Sequence, residues 1–212
     1  MKRTDRMAEG GLASNIKGID YTGKKIGMWI FLYTELLFFG GMFLLYAIFR
    51  SQYAAEFHIS AKEEDIVLGT INTFVLLTSS CFIAISIAAI RQGKKRVSMW
   101  LQFATILCAI IFLTIKYFEW NAKIVKGIYP NSDILLGMGN GETLFFGLYY
   151  VMTGIHGLHV LIGIIVIALM VYYTHKDVIT AVEFAKLENT GLYWHFVDIV
   201  WIYLFPLFYL VT

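Results

Sequence analysis

The sequence predicts an all-α integral membrane bundle of five transmembrane helices, with the amino terminus cytoplasmic and the carboxyl terminus outside. Three observations carry that reading. The 212 residues are 58% hydrophobic and only 15% charged, whereas ordinary soluble domains carry about a quarter charged residues. The apolar residues fall into five runs of roughly 20 residues or more, the length that crosses a hydrocarbon core. The basic residues are divided unequally between alternate connections, as membrane orientation requires. Connections this short do not fold separately, so a single transmembrane domain, residues 26–212, is expected behind a cytoplasmic tail, residues 1–25.

The tail carries Lys2, Arg3, Arg6, Lys17, Lys24 and Lys25. It lacks the apolar stretch and cleavage site of a secretory signal and is expected to stay on the mature protein. The first span runs from about Ile26 to Phe49 and the second from Ile66 to Ile90. Between them, Lys62-Glu63-Glu64-Asp65 reads as a solvated cap on the outer start of the second span. The third span covers Val97 to Trp120, the fourth Glu142 to Tyr173 and the fifth Thr190 to Val211. The fourth exceeds an upright crossing and must tilt or protrude. The connection before it, with Pro130, Asn131, Asp133, Gly137, Gly139 and Gly141, is the longest loop and is expected to face outward.

An inside amino terminus gathers the six tail cations, Arg91, Lys94, Lys95, Arg96, Lys176 and Lys186 in the cytoplasm, and leaves Arg50, Lys62, Lys123 and Lys126 outside. Tyr53, Trp100, Trp120, Tyr129, Tyr193 and Tyr209 near span ends suit interfacial anchoring. A net charge of +2, with no basic stripe, speaks against nucleic-acid binding. Cys81 and Cys108 stand isolated in apolar runs and read as structural thiols, with neither zinc spacing nor a disulfide partner implied.

Few ionisable residues remain at hydrocarbon depth, where a charge costs several kcal/mol unless it turns inward and finds a partner. They are Glu35 in the first span, Lys116 and Glu119 in the third, His156 and His159 in the fourth, and His195 with Asp198 in the fifth. Glu35 and Asp198 each lie roughly 12 to 14 Å from the inner ends of their spans, at about 1.5 Å per residue, which puts them at comparable levels. His195 and Asp198 share a helical face, where an imidazole N–H is expected to satisfy the carboxylate. A hydrogen-bonded clamp between helices is the bland reading of that pair, and a proton-carrying role the sharp one. For Glu35 the same two readings stand, a protonated side chain donating one structural hydrogen bond or a proton relay.

Lys116 and Glu119, three residues apart near an interface, read as a snorkelling ion pair. His156 and His159 are too few for a desaturase-type di-iron site, which needs about eight histidines where this chain has five. A haem between one of them and His195 is a minor alternative to hydrogen bonding and packing. Gly147, Gly154, Gly157 and Gly163 on the same helix permit close approach of a neighbour.

Taken in order, several segments resemble one family. They are Gly27-Met28-Trp29-Ile30-Phe31-Leu32 leading to Glu35, Asn72-Thr73, Tyr117-Phe118-Glu119-Trp120, Thr153-Gly154-Ile155-His156-Gly157-Leu158-His159-Val160, and Tyr193-Trp194-His195-Phe196-Val197-Asp198-Ile199-Val200-Trp201 with Glu188 ahead of it. Together they resemble subunit III of the haem-copper terminal oxidases in its five-helix form, over about residues 24 to 212. The resemblance implies an accessory subunit with no redox centre and no cofactor or metal of its own. Haems and copper would belong to partner subunits, above all the catalytic subunit I, where oxygen is reduced to water and protons are pumped. It further implies support of proton uptake, protection of the active site during turnover, and phospholipids lodged among the helices. Glu35 matches the family's carbodiimide-reactive glutamate, and Glu119, His156, His159, Glu188, His195 and Asp198 match its other polar positions.

The chain departs from the family pattern at Lys116, Trp120 and Pro206 and has five spans in place of seven, which bears on any inherited lipid cleft. Other readings are the accessory protein of a nitric oxide reductase, an independent proton channel or transporter, and a membrane metalloenzyme. No repeat symmetry or pair of broken helices supports the transporter. The partner face is expected on the first three spans rather than on the outer loop.

Overall fold

The structure, a computed structural model, describes the backbone of residues 2–210 and the side chains of residues 22–210. Every regular element among the described residues is helical: α1 (Lys2–Gln52), α2 (Ala54–Ala61), α3 (Ile66–Arg91), α4 (Lys95–Val125), α5 (Asp133–Gly137), α6 (Asn140–His175) and α7 (Ala185–Phe205), followed by a π turn at Pro206–Leu210. Five helices are long and apolar enough to cross a membrane, over Thr22–Gln52, Ile66–Arg91, Lys95–Val125, Asn140–His175 and Ala185–Leu210. They coincide with the five expected spans, each longer at one or both ends. Backbone helix begins at Lys2, continuous with the first span. The side chains of Lys2, Arg3, Arg6 and Lys17, and Val211 at the expected end of the fifth span, lie outside the described residues.

Local chemistry sets the boundaries. Asp65 caps α3, its carboxylate accepting from the amides of Val67 at 2.9 Å and Leu68 at 3.1 Å, as an N-cap residue should. Gly93, at a φ of 74°, turns the chain back from α3 into α4 within three residues. Gly127, at 76°, ends α4 in the same left-handed conformation, and the amide of Ile128 reaches the Lys123 carbonyl at 3.0 Å, the wrapped helix end that glycine favours. The long connection between α4 and α6 folds locally as α5, capped by Ser132 Oγ on the Leu135 amide at 3.1 Å. α2 is likewise a short helix within a connection, between the first and second spans. Glu142 accepts from the Gly139 amide at 3.0 Å and so fixes the start of α6.

The chain divides within α1 into two units, residues 1–38 and 39–212. The first is α1 alone, where Thr34 Oγ1 returns a hydrogen bond to the Phe31 carbonyl at 2.7 Å. In the second, α3 lies along α4 and α7, while α6 packs on α4, α7 and α2. α7 is the most buried span of this unit. Its Trp194 and Trp201 are fully enclosed, and their indole N–H groups donate to Ser79 Oγ at 2.9 Å and Thr73 Oγ1 at 3.0 Å on α3. Trp194 sits against Gly163 of α6, where an added Cβ would lie 2.5 Å from the indole. Of the four α6 glycines expected to allow close approach, this one is used most tightly. Gly154 faces Trp120 at 3.2 Å, whereas Gly147 has no neighbour within 4 Å. The remainder of α1 joins through Phe39 against the His159 ring at 5.2 Å, Phe43 against Tyr203 at 6.0 Å, and Tyr46 against Phe57 and Phe208.

Candidate functional site: buried charges within the bundle

The polar groups at depth form separate clusters in the larger unit. The richest lies where the α2–α3 connection, α4, α6 and the final π turn converge. Lys116, Glu119 and Lys123 fall at i, i+3 and i+7 on α4, so one helical stripe presents all three inward. Lys116 Nζ lies 3.2 Å from both carboxylate oxygens of Glu119 and 3.3 Å from the Tyr149 hydroxyl. The hydroxyls of Tyr149 and Tyr209 both donate to Glu119 Oε1. Around the ammonium stand the rings of Trp201, Tyr209 and Tyr149, at 4.9, 5.0 and 5.2 Å from their centroids. Three aromatic faces partly replace the water that a buried cation has given up.

This arrangement corrects two expectations. Lys116 and Glu119 do pair, but Lys116 does not snorkel, since only 8% of it is exposed and its head points into the bundle. Glu64 is not part of a solvated cap. Its side chain is fully buried and pairs with Lys123 at 2.9 Å, while only its neighbours Glu63 and Lys126 form an exposed pair, at 3.6 Å. Burial pushes the Glu64 carboxyl up to about 7, outweighing the Lys123 ammonium that draws it down. A cavity of about 400 Å³ connects these layers, lined by Glu63, Glu64, Glu119, Lys123, Lys126 and apolar Phe118 among others.

His156 is 1% exposed and lies between Phe112 and Trp201, with ring centroids 5.6 and 5.2 Å away. Neither of its ring nitrogens meets a hydrogen-bonding group. It is near enough to Lys116 to sense that charge. His159, one turn on, places Nδ1 2.8 Å from the Ile155 carbonyl, and its own carbonyl accepts from the Tyr193 hydroxyl at 3.0 Å. The two histidines therefore occupy different surroundings.

On α7, His195 Nδ1 and Ser80 Oγ of α3 are 2.6 Å apart. The expected His195–Asp198 hydrogen bond is replaced by this one across the helix pair. Asp198, 3% exposed, stands beside Ser80 as well, but neither carboxyl oxygen has a hydrogen-bond partner of good geometry. Spacing within α7 was legible, but Ser80 carried no signal of its own. Glu188, at the start of α7, forms an ion pair with Arg91 at the end of α3, and the guanidinium also lies 4.6 Å from the Phe184 ring centroid. Glu35 belongs to the first unit, on α1 and partly exposed. Of the residues singled out at depth, Lys116 and Glu119 sit in the charge cluster. Glu64, Lys123, Tyr149 and Tyr209 were missed there, although the i, i+3, i+7 stripe of charges on an apolar α4 would have marked Lys123. Among the described residues, no three His, Cys, Asp or Glu side chains are grouped to hold a metal ion.

A bundle of five helices able to cross a membrane, with charges paired inside it, defines the class as a polytopic membrane protein, and comparison with known proteins gives the family. The model of the family described as cytochrome c oxidase subunit III matches residues 3–212, so this chain belongs to that family. It is 31% identical over 188 residues to a cytochrome c oxidase subunit 3 from Thermostichus vulcanus, covering 88% of this chain and 87% of that one. It is 29% identical over 194 residues to a cytochrome bo(3) ubiquinol oxidase subunit 3 from Buchnera aphidicola, covering 91% and 88%. A heme-copper oxidase subunit I+III from Aeropyrum pernix is 30% identical over 190 residues, which is 87% of this chain but 22% of that fused protein. The chain is thus a multi-pass membrane subunit of the haem-copper oxidase family. The nitric oxide reductase and independent transporter readings gain no support from these relatives.

Proposed function

We propose that the chain is the accessory, non-redox third subunit of a proton-pumping terminal oxidase in a prokaryotic cell membrane. It would dock on the subunit that holds the haems and copper and reduces oxygen to water, sustaining proton uptake there and protecting that subunit during turnover. The observation that carries this is the Aeropyrum pernix relative, in which subunits I and III are named as one protein. A fused relative supports side-by-side placement of the separate chains. The unequal division of basic residues supports a cytoplasmic amino terminus.

Exposed apolar residues such as Phe74 and Ile85 on α3, and Phe103 and Leu107 on α4, leave ample surface for lipid and for subunit I. A groove of about 250 Å³ between α4 and α6, lined by Phe112, Leu113, Tyr117, Trp120, Gly154 and Gly157, suits an acyl chain and supports structural phospholipid. Asp198, buried beside Ser80 with no ion-pair partner among the described residues of the larger unit, supports a protonatable role for the α7 polar face as well as a clamp.

The direct test compares the oxidase purified with and without this chain. Without it, haem and copper content and the initial rate of oxygen reduction should be retained, fewer protons should be taken up per oxygen reduced, and the rate should decay faster with each turnover. Loss of haem or copper with the chain would contradict the assignment. For Glu35, carbodiimide labelling that is abolished in Glu35→Ala, together with slower proton uptake, is the outcome expected of a relay. An unlabelled Glu35 with unaltered uptake in the variant would leave it a packing residue.

A further inference from the structure

Of the cluster at the α2–α3 end of the bundle, the family resemblance matches only Glu119, as a polar position, and leaves Glu64 and Lys123 unassigned; neither Glu35 nor Asp198 belongs to it. Its charges alternate with depth. Glu63 and Lys126 form the exposed layer, Glu64 with Lys123 the next, and Glu119 with Lys116 the deepest, locked by the Tyr149 and Tyr209 hydroxyls. The 400 Å³ cavity is walled by the exposed layer and also by Glu64 and Glu119, so space for water ends against two buried carboxylates that a small side-chain movement would open to it. A purely structural pair would be expected to complete its hydrogen bonds, since half-satisfied buried networks are costly. Glu64 Oε2 meets the Lys123 ammonium at 2.9 Å, but Oε1 has no hydrogen-bond partner among the described residues.

We propose that Glu64, Lys123, Glu119 and Lys116 form a proton-exchange site, with Glu64 as the group that binds and releases the proton through the cavity. In the exchange, an acid dissolved in the cavity water gives its proton to a Glu64 carboxylate oxygen and leaves as its conjugate base, and no electron moves. Two carboxylates facing two ammonium groups make the ladder neutral with Glu64 ionised, and protonation leaves one positive charge. The apolar walls of Phe118, Phe146 and Leu68 keep that change poorly screened and therefore felt by the deeper groups. The titratable groups facing Glu64 are its neighbours Glu63 and Asp65, Lys116, Glu119, Lys123 and Lys126 of α4, Tyr149 and Tyr150 of α6, and Tyr209 of the π turn. His156 lies beyond Lys116. A carboxyl pushed up to about 7 is half-protonated at neutral pH, as an exchange site needs.

Infrared difference spectra of the intact oxidase, recorded on stepping pH from about 6 to about 8, test this directly. A protonated-carboxyl carbonyl band should disappear over the step in the wild-type complex, be missing from Glu64→Gln, and persist in Glu63→Gln. Lys123→Met should raise the proton affinity of that band by at least about tenfold, since one ion-pair partner is removed. A pH-dependent carbonyl band identical in wild type and Glu64→Gln would overturn the proposal. If Glu64→Gln does not assemble, the Lys123→Met spectrum decides alone, and an unshifted midpoint overturns the proposal.

Discussion

Lys116 shows how a single residue can reverse its expected behaviour. Near a span end, a lysine ordinarily extends its stem to reach water. Here its ammonium is held by Glu119 and ringed by three aromatic faces. Removing one member of such a pair leaves the other charge buried and alone, at a cost of about 3–5 kcal/mol, whereas replacing both with apolar side chains is far cheaper. Lys116→Met should therefore lower the unfolding midpoint of the purified complex strongly, and Lys116→Met with Glu119→Leu should recover most of the loss. A double variant as unstable as the single one would show that the pair does more than satisfy itself. The sequence revealed Lys116 and Glu119 as partners through their spacing. It did not reveal their burial, because the aromatic residues that enclose them come from α6, α7 and the π turn.

Among the elements, α3, α4, α6 and α7 were legible because about 20 apolar residues between charged or glycine-containing turns admit one reading in a membrane. The cap at Asp65 was legible too. The short α2 and α5 were not, since a single helical turn or two in a connection has no hydropathy signature and depends on what it packs against. Glu56 of α2 and Tyr53 just ahead of it lie against Gly141 at the start of α6, a contact no periodicity predicts. The meeting of α6 and α7 turns on Gly163 and Trp194. Gly163→Ala should destabilise by about 1–3 kcal/mol through overpacking, while Gly147→Ala, which meets nothing within 4 Å, should be neutral or slightly stabilising. Thermal unfolding of the two variants side by side checks this, and equal effects would mean that the α6–α7 contact is looser than the structure shows.

For the whole molecule, the connections that matter are distant in the chain. Glu64 meets Lys123, Ser80 meets His195 and Arg91 meets Glu188, so the second span is tied to the fifth, and the connection ahead of the second span to the third, by polar groups that local pattern cannot pair. Linkage gives one of these contacts a pH signature. The Glu64 carboxyl rises from an ordinary 4.5 to about 7 in the folded chain. A raised value means the folded state holds the proton more tightly, so its stabilising effect is full below about 4.5 and is lost as pH rises through about 7. The unfolding midpoint should fall between those values, and Glu64→Gln should flatten the fall. A midpoint that rises over the same interval in the wild type would reverse the sign of this account.

The central claim is that the chain contributes a charge-bearing helical scaffold to an oxidase whose redox groups lie in other subunits. Visible absorption and metal content, measured on the isolated chain and on the complex it brings down in mild detergent, test it most directly. The complex should show haem bands with iron and copper in fixed ratio to this chain, and the isolated chain should show neither. Stoichiometric haem on the isolated chain, or oxygen reduction by it unaided, would contradict the claim.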